Sequence, residues 1–306
     1  MTQEPADMTI EEANAKARAR KEILKDILEY LKAALITVAV AFALKVFVIE
    51  AYRIPSGSME NTLLIGDFLL VNKLAYGLRT PQYVPLTNIR LASAALPLYS
   101  EVERGDIVVF EYPNGFEYLE SEGQVNYIKR CVGLPGDTVL IREGRVFVNG
   151  RELTQPAHAR LSDGKFLSLN TGVRLLPGGK GYTEDDYGPV VVPRSGDRIQ
   201  LNAGSIDDWR SIIYLEGHRA FVASDGLVRI DGKETTEYVV EENYYFMLGD
   251  NRHNSLDSRF WGFVPDKNLI GEALMIYWSW DPEIAVADVA DKIGSIRWGR
   301  IGTFIK

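Results

Sequence analysis

One apolar segment constrains this chain more than any other feature of its sequence. Residues 33–49 read AALITVAVAFALKVFVI, seventeen residues with one charged side chain, Lys45. A helix of that length extends roughly 25 Å, slightly less than a bilayer's hydrocarbon core of about 30 Å. Lys45 lies close to the C-terminal end, where its long side chain can reach the membrane interface. We therefore predict a single transmembrane helix over 33–49.

Two other interpretations of this segment stay open. It could be a buried helix of a soluble protein, or the apolar part of a cleavable signal peptide. The charged lead of 32 residues is long for a signal peptide, and no clean small-x-small site follows the segment. Nothing later in the sequence is long and apolar enough to span a membrane again.

The distribution of basic residues predicts the orientation of the helix. The fifteen residues at 18–32 contain five lysines or arginines, whereas the fifteen at 50–64 contain only Arg53. The positive-inside rule then places the charged segment 1–32 in the cytoplasm and the chain beyond residue 50 outside the membrane.

Composition excludes several classes of function. The chain has 34 basic and 42 acidic residues, a net charge of -8, and no basic run, so we expect no nucleic-acid partner. The single cysteine, Cys131, excludes an internal disulfide and cysteine-rich zinc sites. The three histidines are scattered, and no phosphate-binding glycine motif is present. We therefore expect no metal and no other cofactor.

Beyond residue 50 the sequence is typical of a mainly β protein with antiparallel sheets. Short β-branched and aromatic runs alternate with turn residues, and 138–150 and 226–240 have the pattern of hairpins around Glu143-Gly144 and Asp231-Gly232. Residues 151–218 are less regular and richer in Gly, Pro, Asp and Ser. The predicted arrangement is an antiparallel catalytic core, 50–138 with 242–306, and an inserted β-rich subdomain, 139–241.

Three polar constellations could carry chemistry. They are RIPSGSMENTLLIGD at 53–67, NYIKRCVGLPGD at 126–137 and GDNRHNSLDSRFWGFVP at 249–265. The first displays two hydroxyls on a tight bend, which could expose a nucleophile and direct N–H groups at one point. Taken singly, each has an ordinary structural explanation. The first also fits a polar turn after an anchor helix, the second an edge strand whose lysine limits aggregation, and the third an ordinary loop.

Together, and in this order, the three constellations resemble the signature boxes of bacterial type I signal peptidases nearly residue for residue. The resemblance runs from the apolar segment through 104–113, breaks across the insertion, and resumes over 244–280. It implies a serine endopeptidase, hence a hydrolase, anchored in the bacterial inner membrane. It further implies partners: preproteins with signal peptides, cut after Ala-x-Ala-like sites, the lipid bilayer, and the protein export machinery.

The resemblance also implies roles for individual residues. Ser58 matches the nucleophile, and Lys129 matches the general base. The hydroxyl of Ser56 and the backbone N–H of Ser58 match the oxyanion hole. Supporting groups are Ser255, which matches the hydroxyl that orients the lysine, and a charged pair, Asp257 and Arg259. The residues that match the walls of the substrate pocket are Ile54, Met59, Leu63 and Ile128, whose bulk admits alanine but excludes leucine.

A lysine base requires an unusual environment. An ordinary lysine has a pKa near 10.4, so that at pH 7 only about one molecule in 2,500 has a neutral amine. Full burial can lower a lysine pKa by about 3–5 units, which is sufficient. If 125–132 is a strand, Tyr127 lies on the same face as Lys129 and forms part of the apolar wall.

Three alternatives remain at the level of sequence. His253 lies inside the third constellation and is a rival base, although relatives often carry an aspartate at this position. The self-cleaving repressors of the bacterial damage response also use serine and lysine, but they lack a membrane anchor. A membrane-anchored β-rich module that binds envelope partners would need no catalysis at all.

The predicted orientation has a direct test. Protease added to the outside of intact cells or spheroplasts should digest the chain beyond residue 50, because that part lies outside the membrane. The fragments would be identified by immunoblotting. Full protection of this region would overturn the orientation.

Overall fold

The computed structural model describes residues 5–79, 95–96, 101–113, 126–154 and 175–306. The chain forms two compact units, residues 1–48 and residues 49–306.

The first unit is a helix, α1 (Pro5–Phe47), of 43 residues. Its part Asn14–Phe47 is the one helix in the described residues that is long and apolar enough to cross a membrane, and none of its apolar window is buried within the protein. The helix ends at Phe47 rather than at residue 49, because Ile49 already pairs with Asn72 in a β-sheet. The helix therefore ends two residues before the end of the predicted span 33–49, and the transmembrane span itself stays a prediction.

The second unit is mainly β, which confirms the predicted fold class. Its strands are β1 (Ile49–Arg53), β2 (Asp67–Asn72), β3 (Leu78–Arg79), β4 (Ala95–Leu96), β5 (Ile107–Glu111), β6 (Asn126–Gly133), β7 (Thr138–Arg142), β8 (Arg145–Val148), β9 (Arg151–Glu152), β10 (Tyr187–Val191), β11 (Arg198–Gln200), β12 (Ala220–Val222), β13 (Val228–Ile230), β14 (Lys233–Glu234), β15 (Glu237–Val239), β16 (Tyr244–Leu248), β17 (Val264–Pro265) and β18 (Leu269–Ser279). Three short helices complete it: α2 (Ile206–Leu215), α3 (Ser258–Trp261) and α4 (Val289–Gly294).

Seven strands form the main sheet, in the order β1-β2-β18-β5-β6-β16-β17, and all their pairings are antiparallel. In the interior of this sheet, β6 is hydrogen-bonded to β5 on one side and to β16 on the other. A strand paired on both edges has little freedom to shift, so side chains on β6 are held in a defined place.

The chain between β6 and β16 forms smaller sheets, β10-β7-β8-β9, β11-β15 and β12-β13-β14. Both predicted hairpins are confirmed: β7 pairs with β8, and β13 pairs with β14. Their turns use the left-handed backbone that Gly, Asn and Asp tolerate, with φ of 50° at Glu143, 73° at Gly144, 51° at Asp231 and 81° at Gly232.

Helix α2 was not predicted from the sequence. Its three buried isoleucines, Ile206, Ile212 and Ile213, lie on one side of a ten-residue helix, and acidic residues in its first turn favour the helix dipole. The hydrophobic cluster that contains these isoleucines also contains Val132 of β6 and Phe246 of β16. The 139–241 segment thus packs against the main sheet, and its treatment as a separate subdomain stays a prediction.

Candidate active site

A tight turn after β1 presents Ser58. Residues Gly57–Met59 form one turn of 3-10 helix, closed by a 3.0 Å hydrogen bond from the Glu60 N–H to the Gly57 carbonyl. Met59 and Leu63 are buried beneath the turn, with 1% and 0% of their surfaces exposed. These apolar anchors fix the turn in the core, while the first N–H groups of any helical turn have no partner within it. The backbone N–H of Ser58 is in that position.

Strand β6 brings Lys129 against this turn. Its Nζ lies 2.7 Å from Ser58 Oγ and 3.0 Å from the carbonyl oxygen of Ile128. Both side chains are shielded, with 2% of Lys129 and 8% of Ser58 exposed. A neutral amine in this position can accept the proton of Ser58 and still donate to the Ile128 carbonyl. The structure therefore brings the predicted nucleophile and the predicted base into hydrogen-bonding contact.

Burial lowers the pKa of Lys129 from 10.5 to about 8, and this effect exceeds the opposing attraction of Asp257 and Asp250. The ring of Tyr127 is centred 5.3 Å from Nζ, as part of the apolar wall predicted from the strand pattern. Tyr127 itself packs on Trp261, with ring centres 5.0 Å apart. With a pKa of about 8, about one lysine in ten is neutral at pH 7.

The loop after β16 holds the Ser58 turn through Asn251, a residue that the sequence did not single out. The Asn251 N–H donates to the Ser58 carbonyl at 3.1 Å, and its side-chain Nδ2 donates to the Gly57 carbonyl at 3.0 Å. Nδ2 also donates to Glu60 Oε2 at 3.2 Å. Asn251 stands within the third constellation, but no local pattern distinguishes it there from its polar neighbours.

The same loop approaches the Ser58 turn closely at Gly249. A Cβ at this position would lie 2.2 Å from Ser255 Oγ and 2.6 Å from the Ser58 carbonyl oxygen, distances that no real side chain shows. Only glycine allows the loop to pack directly on the nucleophile turn. The backbone N–H of Gly249 donates to Asp257 Oδ2 at 3.2 Å.

The pair Asp257 and Arg259 is fully buried, with exposed fractions of 0% and 1%. Arg259 Nε and Nη2 donate to the two Asp257 oxygens at 2.8 and 2.9 Å. Nη2 also donates to the Arg252 carbonyl at 2.5 Å, and Nη1 to the Glu184 carbonyl at 3.0 Å. The two ions satisfy each other. Because Arg259 also donates to backbone carbonyls and Asp257 also accepts from a backbone N–H, the pair fixes the path of the loop.

Other predicted residues have less direct contacts. Ser255 is buried, but its Oγ has no hydrogen-bond partner within the described part of the chain, so its orienting role stays a prediction. Ser56 is exposed, in extended backbone before the turn, and makes no capping hydrogen bond to it. His253 Nε2 lies 2.8 Å from Asp185 Oδ1, whereas the hydrogen bond of Ser58 Oγ is with Lys129.

The predicted pocket residues belong to one hydrophobic cluster beside the Ser58 turn. Ile54, Met59 and Leu63 are among its buried members, and Ile128 packs against it. Over the described ranges, no group of three or more His, Cys, Asp or Glu is placed to hold a metal ion.

Comparison with known proteins identifies similar chains. The family described as signal peptidase, peptidase S26, matches residues 27–278. The signal peptidase I of Pseudomonas aeruginosa is 32% identical over 283 residues, covering 89% of this chain and 80% of that protein. The signal peptidase I of Aquifex aeolicus is 32% identical over 268 residues, covering 86% and 88%.

Two further chains are among the matches. The signal peptidase I of Buchnera aphidicola from Schizaphis graminum is 33% identical over 252 residues, covering 80% of this chain and 73% of that protein. A solved structure of a signal peptidase I from Enterococcus faecalis covers 56% of this chain and 97% of that chain, with 22% identity and a TM-score of 0.25.

The close approach at Gly249 can be tested by substitution. Gly249→Ala should reduce the rate of peptide cleavage roughly 100-fold, because the new methyl group displaces the Ser58 turn from Lys129. A matched control is Gly299→Ala, since a Cβ there meets nothing within 4 Å and the backbone is not left-handed. The turnover number of both variants would be measured with one peptide substrate. Equal activity of the two variants would contradict the close-packing argument.

Proposed function

The chain belongs to the signal peptidase family, peptidase S26, and from this premise we propose that Ser58 and Lys129 are the dyad with which this serine endopeptidase removes signal peptides. The single observation that carries the proposal is the 2.7 Å contact between Ser58 Oγ and Lys129 Nζ in a shielded place. A serine hydroxyl is a weak nucleophile unless a base takes its proton. Lys129 is the base within reach.

The proposed reaction proceeds in two halves. Neutral Lys129 accepts the proton of Ser58 as Oγ attacks the carbonyl carbon of the scissile peptide bond, which forms a tetrahedral oxyanion. The lysine ammonium then donates this proton to the leaving amine as the carbon–nitrogen bond breaks, leaving an ester on Ser58. In the second half Lys129 takes a proton from water, hydroxide adds to the ester, and the returning proton restores Ser58.

We propose two donors to stabilise the oxyanion. The backbone N–H of Ser58 stands at the start of a 3-10 turn, where N–H groups are left free for a ligand. The hydroxyl of Ser56 precedes this turn and makes no capping hydrogen bond to it, so it can rotate towards the same point. We propose that these two groups form the oxyanion hole.

The specificity we propose is for small residues, as in Ala-x-Ala sites. Ile54, Met59, Leu63 and Ile128 belong to one apolar cluster next to the Ser58 turn, and three of them are almost fully buried. Bulky apolar side chains beside the scissile bond would exclude large residues and accept many sequences that end in small ones. Exported preproteins are therefore the proposed substrates.

The membrane anchor we propose is α1. Its apolar side chains have no cover within the unit, with Leu35 73% and Val38 68% exposed. Exposing apolar surface to water costs about 25 cal/mol per Å², whereas the hydrocarbon core of a bilayer removes this cost. With the basic residues at 18–32 on the cytoplasmic side, the helix would cross the inner membrane once. The catalytic unit would then lie outside the cytoplasm, where the export machinery delivers its substrates.

Substitutions in the dyad test the mechanism. Ser58→Ala and Lys129→Ala should each reduce cleavage of an Ala-x-Ala preprotein at least about 1,000-fold, because each removes a group that the first proton transfer requires. Cleavage would be followed on gels, and circular dichroism would show that both variants stay folded.

A histidine variant is the control for this test. His253→Ala should leave cleavage within a few-fold of the original, because its ring pairs with Asp185 rather than with Ser58. Loss of activity in His253→Ala together with normal cleavage by Lys129→Ala would reverse the assignment of the base.

The pH dependence tests the state of the lysine. The pKa of Lys129 is lowered to about 8, and only the neutral amine can act as a base. Below that pH the amine is protonated, so kcat/KM should fall about tenfold per pH unit as the pH decreases from 7 to 6, and should level off above 8–9. An ascending limb centred near 6.5 would instead indicate a histidine.

A further inference from the structure

A cavity of about 580 Å³ lies next to the catalytic loop and is unusually basic. It is bounded by the chain after the Ser58 turn, by β6, by the loop after β16 and by the C-terminal segment. Among the described residues, its lining includes five cationic side chains and no acidic side chain. These five, which we call the arginine cavity, are Arg104, Arg130, Arg252, Arg300 and Lys306.

Three of the arginines form salt bridges with carboxylates that do not line the cavity. Their Nη2 groups lie 2.6–2.8 Å from carboxylate oxygens. The pairs are Arg104 with Asp137, Arg130 with Asp250, and Arg300 with Asp67. Among the described residues, Arg252 and the Lys306 amine form no salt bridge. Asp257 and Asp250 attract Arg252 at longer range, and the main-chain oxygen of Lys306 accepts a hydrogen bond from Arg130 Nη2 at 3.3 Å.

Arg252 is the unusual member of the set. Only 3% of it is exposed, yet within the described part of the chain its Nε alone has a partner, the Gly249 carbonyl at 3.1 Å. Its Nη1 is buried without a hydrogen bond. Burial, together with the positive charge of Arg259, lowers the pKa of Arg252 to about 10. A buried guanidinium with unused donors is unfavourable unless an anion binds to it.

Donors remain on other arginines as well. In the described residues, Arg104 uses Nη2 and Arg300 uses Nε and Nη2, which leaves Nη1 of each without a partner. Guanidinium groups from four separate segments thus converge on one space. A carboxylate offers two oxygens in one plane, whereas a phosphate offers three oxygens in three directions and up to two charges, which matches this arrangement better.

We infer that the arginine cavity is a binding site for a phosphate group, separate from the proposed dyad. Arg104 and Arg252 supply the unused donors, and Arg130 and Arg300 supply positive charge from the other sides. The same chemistry fits free phosphate or the phosphate of a lipid headgroup. The lipid source has structural support, because Phe304 and Ile305 also line the cavity and offer apolar surface.

Occupancy should stabilise the loop next to the nucleophile. Arg252 is bonded to the Gly249 carbonyl, and Arg130 forms two hydrogen bonds with Asp250 at 2.8 and 2.9 Å. A phosphate bound to these arginines would hold the segment 249–252 through both contacts. Binding to the folded state alone raises the melting temperature in proportion to the logarithm of the phosphate concentration above Kd.

The test uses the full chain in a non-ionic detergent, with inorganic phosphate as the probe and chloride to keep ionic strength constant. Isothermal titration calorimetry should give one saturable site, and phosphate should raise Tm. Arg104→Gln should weaken binding roughly tenfold, because one charge-assisted contact is lost. The matched control is Arg229→Gln: Arg229 is also paired with an aspartate and is 30% exposed, against 32% for Arg104.

A second arm identifies the source of the phosphate. The titration is repeated on the chain in phosphatidylglycerol nanodiscs. Binding in detergent that disappears in nanodiscs assigns the site to a lipid phosphate, and equal binding in both assigns it to free phosphate. Absence of saturable binding in detergent, unchanged affinity in Arg104→Gln, or an equal loss in Arg229→Gln would each overturn the inference.

Discussion

The burial of one amine, that of Lys129, is the constraint on which the proposed chemistry depends. A change in its pKa from 10.5 to about 8 means that burial disfavours the charged form by roughly 3 kcal/mol relative to an exposed lysine. That free energy must come from the rest of the fold, because the charged lysine would be hydrated if the strand moved. Lys129 pairs with Val108 of β5, and the next residue, Arg130, is paired with both β5 and β16. The ring of Tyr127 lies beside the amine. The packing of the main sheet thus excludes water from the amine.

The carboxylates near the site are arranged so that they do not cancel this effect. Asp250 and Asp257 both raise the pKa of Lys129, and either could hold the ammonium if it were free to do so. Each is instead bound by two nitrogens of an arginine, Arg130 and Arg259 respectively. A carboxylate so paired attracts a second cation less strongly. The arginines therefore leave the lysine next to a hydroxyl rather than in an ion pair.

The Arg130–Asp250 pair also connects the Ser58 turn with the basic cavity. Asp250 lies between Gly249 and Asn251, and Asn251 binds the carbonyls of Gly57 and Ser58. Arg130 and Arg252 line the cavity and contact the same short loop. The position of Ser58 and the charge balance of the cavity therefore both depend on one segment, 249–252. This is a physical reason for its density of polar residues.

The sequence by itself determined the features that depend on local pattern. These are the apolar helix, the two hairpins with their left-handed turn residues, the mainly β class and the three boxes that resemble signal peptidases. Tertiary structure decided what depends on distant contacts. Ser58 and Lys129 are 71 residues apart, and Asn251 lies 194 residues from Gly57. Burial of the lysine, the clamp by Asn251, the requirement for glycine at 249 and the early end of α1 all follow from such contacts. No local sequence pattern predicts these features, because the packing of remote segments decides which groups are buried away from solvent.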